Sequence, residues 1–437
     1  MSLLARSRIS LLDYGRYSPS VRRWLATWQF RRVKSASAGD SPQACAQKLV
    51  ELCRVARLAD TLQQELEIEK EIHRQVRSIG SHSVDWSKLT ASWKTDRIEK
   101  AVILEPYVGP KERGVVLVSF DYQWPRLLAL PKLEEFVQRY QLITAPTWCP
   151  PHAVENTLFP AQYPDRRIVT LISNTRDEAY FPRLSPKFQV VPLYASNWVN
   201  PELYQPVALE EKNIDIVMVA GFGAYKRHFA LFQALRELPP NTRVVLVGQP
   251  SAGRDREDLL REAAYYGVRD RVELRESVPD AVVVDTLAHA KIGLILSRRE
   301  GSCVAVMESI IANTPIGVLE DATVGSKAFV NEHTGMLLRS ENLGAQLKQF
   351  LDRFKSYSPR QYALEQGWCC FGSTKKLNQA LRQMALHAGE QWTEDIAVHH
   401  WRPDPQLLHA SDRQRMEMEY QDVEQRFGLQ LGVKPRL

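Results

Sequence analysis

Short apolar segments alternate with amphipathic segments from about residue 98 onward, and this alternation limits the fold more than any other feature of the sequence. Buried strands that alternate with amphipathic helices are typical of a doubly wound parallel sheet. A helix is predicted over residues 133–140. The strands predicted around it are 114–120, 141–148, 167–173 and 188–194. These segments together predict one complete α/β sheet.

The pattern starts afresh after residues 200–213, where two prolines and a cluster of charges indicate a linker. A strand, a glycine loop and a helix follow within 214–235. Further helices are predicted over 255–268, with Gly267 as the C-cap, and over 303–312. The remaining predicted strands are 242–249, 271–274, 291–297 and 314–319. Two consecutive α/β sheets predict two Rossmann-like domains that face a cleft, with ligands at the carboxyl ends of the strands.

The surplus of positive charge is concentrated in the basic arm, residues 1–34. This segment holds eight arginines and lysines against Asp13 alone, a local charge of +7, whereas the whole chain of 437 residues carries +6. The remainder of the chain is therefore close to neutral. A nucleic-acid-binding protein needs a basic face on its folded domains, so no nucleic-acid partner is expected.

The basic arm also carries leucines and aromatic residues between its arginines, among them Leu11, Leu12, Trp24 and Trp28. This composition is typical of a helix that lies in the interface of an anionic membrane. A start that is rich in Arg and Ser and poor in acidic residues also resembles an organelle transit peptide. A solvated arm and a segment docked on the same chain remain alternatives. After the arm, the leucine spacing predicts a helix over 43–78.

Apolar segments and cysteines limit where the protein can work. The best candidates for a membrane-spanning segment, at 281–284 and 292–296, have only strand length, so no such segment is predicted. The six cysteines include no CxxC pair, and only Cys149 and His152 lie at ligand spacing. Neither a zinc site nor a disulfide framework is indicated. We expect a cytoplasmic protein, with peripheral attachment to the inner face of the membrane as an option.

The segment from Ser297 to Glu308 holds two glutamates that could contact a ligand. Glu300 follows an apolar strand and precedes a helix, so we expect it in a loop at the carboxyl edge of the sheet. Glu308 lies inside the next helix. Carboxylates accept hydrogen bonds from vicinal hydroxyls, which suits one glutamate for a ribose and the other for a hexose. Alternatively, Glu300 stabilises the helix N-terminus and Glu308 is a solvated helix residue.

A second candidate is the loop from Gly221 to His228, which opens a helix after an apolar strand. Gly221 and Gly223 would let backbone amides approach an anion, and Lys226 near a helix N-terminus complements a diphosphate. The loop is not a Walker loop, and Lys226 stands where GxGxxG has its third glycine. A tight turn followed by solvated basic residues is the alternative.

The motifs of the second sheet occur in one order along residues 215–338. They are Gly221, Lys226, Gly248, Arg271-Val272, Ser297, Glu300-Gly301, Glu308, Thr314-Pro315 and Thr334-Gly335. In this order they resemble the donor-binding half of a GT-B fold glycosyltransferase of family four. The likeness is weaker over 98–206. It implies a retaining, metal-independent enzyme whose co-substrate is a nucleotide-diphosphate sugar and which needs no other cofactor.

The resemblance implies catalytic roles for Glu300 and Lys226. Lys226 would neutralise the donor diphosphate, Glu300 would hold donor-sugar hydroxyls and Glu308 would hold the nucleotide ribose. The backbone amides that would line the sugar and phosphate are those of Gly301, Ser302 and Cys303. The donor-binding set that the resemblance implies is Gly221, Gly223, Lys226, Arg227, Arg298, Glu300, Gly301, Ser302, Cys303 and Glu308.

The sequence also departs from the family pattern. Phe222 stands where the family has an arginine, so Arg227 or Arg298 would supply the second positive charge. The glycine pair expected in the acceptor half is absent. Asp121 and His152 follow strands there, and either could orient an acceptor hydroxyl or belong to a surface loop. No two aspartates are separated by a single residue, so the DxD metal clamp of the other large transferase fold is missing and no metal is predicted.

These arguments predict four segments: a basic arm and helical extension at 1–97, an N-terminal Rossmann-like acceptor domain at 98–205, a C-terminal Rossmann-like nucleotide-sugar donor domain at 206–372, and a helical tail at 373–437 that crosses back to the first domain. The predicted function is sugar transfer to a glycan, a lipid-linked acceptor or a small molecule, with residues 1–34 as a contact for a membrane surface. The alternatives are a nucleotide-sugar hydrolysing epimerase and a catalytically degenerate GT-B scaffold that binds a lipid or a partner.

Overall fold

The chain folds into two compact units, each assembled from separate stretches of sequence. The computed structural model describes residues 2–36, 39, 41–89, 97–146, 152–163, 165–401 and 404–432. The first-sheet unit consists of Ser18–Trp198 and Cys370–Leu437, and the second-sheet unit consists of Met1–Tyr17 and Val199–Cys369. Residues 1–97, which the sequence analysis groups as one segment, are therefore divided between the two units.

Helices and strands alternate through most of the described chain. The α-helices are α1 (Ser2–Tyr17), α2 (Pro19–Ser35), α3 (Pro42–Ala56), α4 (Leu62–Ile79), α5 (Trp124–Leu128), α6 (Leu133–Arg139), α7 (Val154–Gln162), α8 (Asp177–Leu184), α9 (His228–Leu235), α10 (Arg256–Tyr266), α11 (Asp280–Ala288), α12 (Val304–Ile311), α13 (Leu343–Asp352), α14 (Pro359–Glu365), α15 (Cys370–His387) and α16 (Ala410–Phe427). The β-strands are β1 (Arg97–Ile98), β2 (Ala101–Glu105), β3 (Gly114–Ser119), β4 (Tyr140–Ala145), β5 (Ile168–Thr170), β6 (Phe188–Val190), β7 (Ile214–Val219), β8 (Val244–Gly248), β9 (Val272–Glu276), β10 (Ala290–Ile295), β11 (Ile316–Leu319), β12 (Gly335–Leu338), β13 (His399–Trp401), β14 (Pro405–Leu407) and β15 (Gln430–Leu431).

The second-sheet unit is built on a parallel sheet whose described strands have the order β12-β11-β10-β7-β8-β9. Numbered within the unit, this is the 3-2-1-4-5-6 order of a doubly wound Rossmann sheet. The order reverses between β7 and β10, which are hydrogen-bonded neighbours although β8 and β9 separate them in the chain. Sheets of this kind bind ligands at the carboxyl ends of the strands beside the reversal.

Gly248 closes β8 against the loop that follows β7. A Cβ atom at this position would lie 2.1 Å from the carbonyl oxygen of Ala220, a distance that no side chain can adopt. Glycine is therefore required where the two strand ends approach each other, and this contact fixes the path of the chain into the glycine loop.

The first-sheet unit contains a sheet with the described strand order β2-β3-β4-β5-β6. Strands β3 to β6 are parallel, and β2 pairs with β3 in antiparallel fashion at one edge. Both sheets confirm the predicted α/β class with two Rossmann-like domains. The tail returns to this unit, because α15 and α16 belong to it and β15 pairs with β1.

The helix predicted over 43–78 is wrong as a single element, since the chain forms α3 and α4 instead. Thr61 begins α4 as its N-cap, and its side-chain oxygen accepts the amide of Gln64 at 3.3 Å. The leucine spacing continues through the break, so periodicity alone gave no sign of it. Leu49 of α3 and Ile72 of α4 belong to the same buried core as the first sheet.

The basic arm forms α1 and α2, which separate at Pro19, the first residue of α2. Helix α1 packs in the second-sheet unit, whereas α2 packs against α3 and α4 in the first-sheet unit. Arg22 anchors α2 by donating to the carbonyl of Arg57 at 2.9 Å and to that of Leu58 at 3.2 Å. Both helices are thus docked on the chain. No helix in the described part of the chain is long and apolar enough to cross a bilayer.

Candidate functional site

Two loops meet where the strand order of the second sheet reverses. The loop after β7 carries Lys226, and the loop after β10 carries Glu300. Lys226 Nζ donates to Oε1 and Oε2 of Glu300 at 2.7 and 2.8 Å, and both side chains are only 13% exposed. A cation and a carboxylate therefore lie in direct contact at the edge of the sheet where Rossmann folds bind their ligands.

Backbone hydrogen bonds fix the loop that carries Glu300. The amide of Glu300 donates to the carbonyl of Thr323 at 2.9 Å, and the amide of Thr323 donates to the carbonyl of Arg298 at 2.7 Å. This pair of bonds joins the loop after β10 to the loop after β11. The carboxylate of Glu300 is therefore carried by a backbone that is held at two points.

Residues 301–303 form the turn into α12, with Cys303 as the N-cap residue. The carbonyl of Gly301 accepts the amide of Gly325 at 2.8 Å. The amide of Cys303 donates to Ser326 Oγ at 3.2 Å, so one of the three amides assigned to the donor is already engaged. Ser326 gave no signal in the sequence, because it lies 23 residues further on in a short 3-10 helix, Gly325–Phe329.

The glycine loop is shaped by close packing around its aromatic residues. Gly221 follows β7, and Phe222 beside it is completely buried. The position where the family has an arginine is thus a core position in this chain. A Cβ atom at Gly223 would lie 2.5 Å from the ring of Tyr225, which excludes a side chain there unless the ring moves.

Burial and neighbouring charges set the protonation of this site. Burial alone would lower the pKa of Lys226, but the nearby Cys303 and Glu300 raise it above its ordinary value. Burial raises the pKa of the Cys303 thiol to about 12, so the thiol is neutral. Burial, with help from Arg254 and Lys226, lowers the pKa of His228 to about 3. At neutral pH the imidazole is therefore uncharged, and the ammonium of Lys226 is balanced by Glu300.

Glu308 lies in α12 and is held by the segment predicted as a linker. Tyr204 Oη donates to Glu308 Oε1 at 2.5 Å, and the Tyr204 side chain is completely buried. Arg360 fixes this segment by donating to the carbonyl of Tyr204 and, at 3.0 Å, to that of Pro201. Sequence reasoning missed Tyr204, because a tyrosine between two prolines carries no motif.

Arg227 is paired with the first helix of the chain. Its Nε and Nη2 atoms donate to the two carboxylate oxygens of Asp13 at 2.9 and 3.1 Å, and Nη1 donates to the carbonyl of Leu296 at 3.3 Å. Its φ of 60° is left-handed, a conformation that costs residues other than glycine about 1–2 kcal/mol. Arg227, which was predicted to contact a diphosphate, is thus paired with the carboxylate of Asp13 within the second-sheet unit.

Arg298 also has partners of its own. Its Nη2 donates to Ser340 Oγ at 3.1 Å and lies 3.7 Å from Oδ2 of Asp321. The side chain is partly exposed, whereas that of Arg227 is buried. Of the two arginines considered as the second positive charge, Arg298 is therefore the one that a ligand could reach by displacing a weak contact.

The two acceptor-side candidates lie in the first-sheet unit, and both are buried, which is contrary to the surface-loop interpretation. Asp121 follows β3 and is 7% exposed, and His152 is 1% exposed. Arg57 joins them, because its Nε donates to the carbonyl of His152 at 2.8 Å and its Nη2 lies 4.0 Å from Asp121 Oδ2. Residues 147–151, which include Cys149, lie outside the described residues.

Two more buried carboxyl groups accompany Asp121, and together we call them the carboxylate cluster: Asp121, Glu155 and Asp177. Burial raises the pKa of Glu155 to about 8 and that of Asp177 to about 6, and the charge of Asp121 adds to both shifts. Asp177 Oδ2 accepts the amide and the hydroxyl of Ser173, both at 2.7 Å. The sequence did not indicate Glu155 and Asp177 as site residues, because each lies at the start of a helix, where acidic residues are common.

Metal binding finds no support in the described part of the chain. No group of three or more His, Cys, Asp or Glu side chains there could hold a metal ion. The absence of a metal requirement stays a prediction.

The fold and the site define a class of protein. Two Rossmann-like sheets in one chain, with a glycine loop and a glutamate loop at the reversal of the second sheet, are the architecture of a GT-B type glycosyltransferase. Residues 200–364 match the family model described as glycosyl transferases group 1. This segment is less than half of the chain, and it is similar to that family. The segment that carries Lys226 and Glu300 is therefore similar to glycosyltransferases of this group.

The solved structures that this chain resembles are distant in sequence. Sucrose-phosphate synthase from Thermosynechococcus elongatus is 16% identical over 63% of this chain and 74% of its own, with a TM-score of 0.49. HepE from Anabaena, in complex with UDP, is 15% identical over 62% of this chain and 78% of its own, with a TM-score of 0.47. The pneumococcal O-GlcNAc transferase GtfA, in complex with UDP and GlcNAc, is 15% identical over 58% of this chain and 54% of its own, with a TM-score of 0.42. This chain thus spans about half the length of GtfA. No curated protein matches the sequence.

Proposed function

We propose that the second-sheet unit binds a nucleotide-diphosphate sugar and that the enzyme transfers the sugar to an acceptor with retention of anomeric configuration. The observation that carries this proposal is the contact between Lys226 and Glu300 at the reversal of the sheet. An ammonium complements a diphosphate, and a carboxylate accepts hydrogen bonds from vicinal hydroxyls. When a sugar diphosphate binds between the two side chains, its phosphates would replace Glu300 as the partner of Lys226, and its hydroxyls would replace Lys226 as the partner of Glu300.

The diphosphate would lie against Lys226 and the N-terminus of α12. The turn at Gly301 and Ser302 leads into that helix, whose N-terminus favours negative charge. As the bond to the leaving phosphate breaks, the developing charge would be stabilised by Lys226 and the helix, with Arg298 as the second cation. This arrangement needs no divalent ion.

The nucleotide ribose would be held by Glu308. A carboxylate can accept hydrogen bonds from both ribose hydroxyls, and Tyr204 fixes its orientation from the protein side. Tyr204 is thus a positioning residue that acts through Glu308. Glu300 would do the corresponding work at the hexose, beside the phosphate.

The acceptor side of the reaction belongs to the first-sheet unit. We propose that Asp121 and His152 orient the attacking hydroxyl of a glycan, a lipid-linked acceptor or a small molecule. In a front-face transfer the new bond from the acceptor oxygen to the anomeric carbon forms as the bond to phosphate breaks. The hydroxyl proton passes to the departing phosphate oxygen, so no further base is needed.

The proposal is tested by removing the two groups that face each other. Lys226→Ala and Glu300→Ala should each lower turnover at least tenfold, because each removes an interaction with the donor in the transition state. Release of nucleoside diphosphate would be measured with a panel of UDP, GDP and ADP sugars. Lys348→Ala removes an exposed lysine paired with Asp352 and is the matched control.

Three results would contradict the proposal. Wild-type rates in both variants would exclude the assigned site. Conversion of the donor without any acceptor would indicate a hydrolysing epimerase on the same scaffold. A protein that shows no thermal shift with UDP, GDP or ADP would be a degenerate scaffold instead of a transferase.

A further inference from the structure

The first two helices expose large apolar side chains to solvent. Four leucines of α1 and two tryptophans of α2 are 48–79% exposed: Leu3, Leu4, Leu11, Leu12, Trp24 and Trp28. The two indole rings stack at 6.3 Å with only 8° between their planes. Exposed apolar residues usually occur singly, so a concentration of six within 26 residues of chain calls for a partner.

Both helices are docked on the chain through the side opposite their exposed apolar residues. Helix α1 uses its other side for the unit, where Asp13 pairs with Arg227 and Arg6 lies over the ring of Tyr266 at 5.8 Å. Helix α2 buries Ala26 and Val33 against its own unit. Each helix is therefore oriented by contacts that leave its leucine or tryptophan side in water.

The charged residues beside these apolar side chains are basic. The exposed ones are Arg8 and Arg16 of α1 and Arg23, Arg31, Arg32 and Lys34 of α2. The acidic residue of the two helices, Asp13, is paired with Arg227 and so does not balance them. We call the exposed apolar and basic residues the outer faces of α1 and α2.

We propose that the outer faces of α1 and α2 bind the surface of an anionic lipid bilayer. Leucine and tryptophan side chains enter the boundary between headgroups and acyl chains, while guanidinium and ammonium groups pair with anionic headgroups. Neither helix is long and apolar enough to span a bilayer, so each would bind at its surface. This inference goes beyond sugar transfer and holds whatever the donor proves to be.

Co-sedimentation of the full chain with vesicles tests the proposal. The vesicles would contain phosphatidylcholine alone or a mixture of phosphatidylcholine and anionic phosphatidylglycerol. We expect binding to the anionic vesicles to exceed binding to the neutral ones at least tenfold. Raising the salt from about 0.1 to 1 M shortens the screening length from about 10 to 3 Å and should lower binding at least tenfold.

Variants distinguish the contribution of α1 to vesicle binding from that of α2, and the apolar contribution from the electrostatic one. The set L3S, L4S, L11S and L12S, and the pair W24S and W28S, should each lower the partition coefficient at least tenfold. Replacement of Arg8 and Arg16 by Gln should lower it on anionic vesicles only. The controls are Leu364→Ser and Met418→Ser, which remove exposed apolar side chains on α14 and α16 and should leave binding unchanged. Unchanged thermal midpoints would show that all variants fold.

Two outcomes would overturn the proposal. Equal binding of the wild type and the leucine and tryptophan variants to anionic vesicles would exclude the outer faces as the contact. Self-association that the same variants abolish, without any vesicle binding, would mean that a second copy of the chain covers these faces.

Discussion

At the scale of single residues, Arg227 shows how a charge next to a binding loop can be taken up inside the protein. Its left-handed backbone is a conformation that glycine adopts without strain, yet an arginine occupies it. Contacts with Asp13 and Leu296 hold the side chain in place. The strained backbone of a loop that carries Lys226 is therefore maintained by a helix from the start of the chain.

Asp13→Ala should destabilise the second-sheet unit strongly. The change leaves the buried guanidinium of Arg227 without its carboxylate, and breaking such a pair from one side costs about 3–5 kcal/mol. Unfolding in urea would measure the loss of free energy. The double variant Asp13→Ala, Arg227→Met should recover part of it, and Asp352→Ala, in an exposed pair, should change the stability by less than about 1 kcal/mol. Equal stability of the wild type and Asp13→Ala would show that the pair has no structural role.

Tyr204→Phe should raise the KM for the nucleotide sugar about tenfold and change kcat less. The hydroxyl donates to a carboxylate, and a hydrogen bond to a charged group contributes about 1.5–3 kcal/mol. Binding of a 2′-deoxyribonucleotide donor would distinguish positioning from a general structural effect. The wild type should discriminate against the deoxy donor more than the variant does. Tyr265→Phe on α10 is the control. An unchanged KM for Tyr204→Phe would contradict the assignment of Glu308 to the ribose.

The carboxylate cluster makes stability depend on pH through Glu155. The folded protein keeps the proton of Glu155 up to about pH 8, whereas an ordinary glutamate releases it near 4.5. Between these values the folded state binds more protons than the unfolded chain, so the free energy of unfolding falls as the pH rises. The loss is largest at and above about pH 8 and absent below about pH 4.5.

Glu155→Gln should flatten this pH dependence. The amide keeps the neutral form, so between pH 5 and 8 the variant should lose less stability than the wild type, by about 2–4 kcal/mol. Urea unfolding at each pH measures the difference. Glu178→Gln, an exposed glutamate of the same unit, should follow the wild type. Parallel curves for the wild type and Glu155→Gln would show that Glu155 is ionised in the folded protein.

At the scale of elements, the sequence predicted the positions of most buried strands. It did not predict where one helix ends and the next begins. The parallel strands from β3 to β11 lie within or next to the predicted segments, because apolar runs of strand length mark the centre of a parallel sheet. The antiparallel edge strand β2 was not among the predicted strands. Thr61 divides α3 from α4 without glycine or proline, so the continuous leucine spacing hid the boundary. Residues 282–284 are β-branched valines, yet they belong to α11, since packing overrides local propensity.

The part of the candidate site that follows from the order of the strands was predictable from the sequence. Lys226 and Glu300 follow the two strands beside the reversal, so topology alone places them near each other. Tyr204, Asp13 and Ser326 could not be found this way, because their partners are remote in sequence and the contacts exist only after packing. The sequence therefore indicated the groups that would meet a ligand and missed those that position them.

At the scale of the whole molecule, neither unit is a continuous stretch of chain. The sequence pattern shows two sheets in succession, and this suggests two domains that follow one another. Helix α1 joins the unit whose sheet begins some 200 residues later, and α15 and α16 join the unit whose sheet precedes them. Boundaries drawn at changes of composition cannot reveal such exchanges, since α1 and α2 have the same basic and apolar composition.

The partnership of Asp13 with Arg227 spans 214 positions, and this has a consequence for how the protein is made. At the usual pace of 5–20 residues per second, the ribosome needs about 10 to 40 s between the aspartate and the arginine. Throughout that interval the nascent α1 has no arginine to receive it. A lipid surface reached during synthesis would therefore meet this helix before its own domain does.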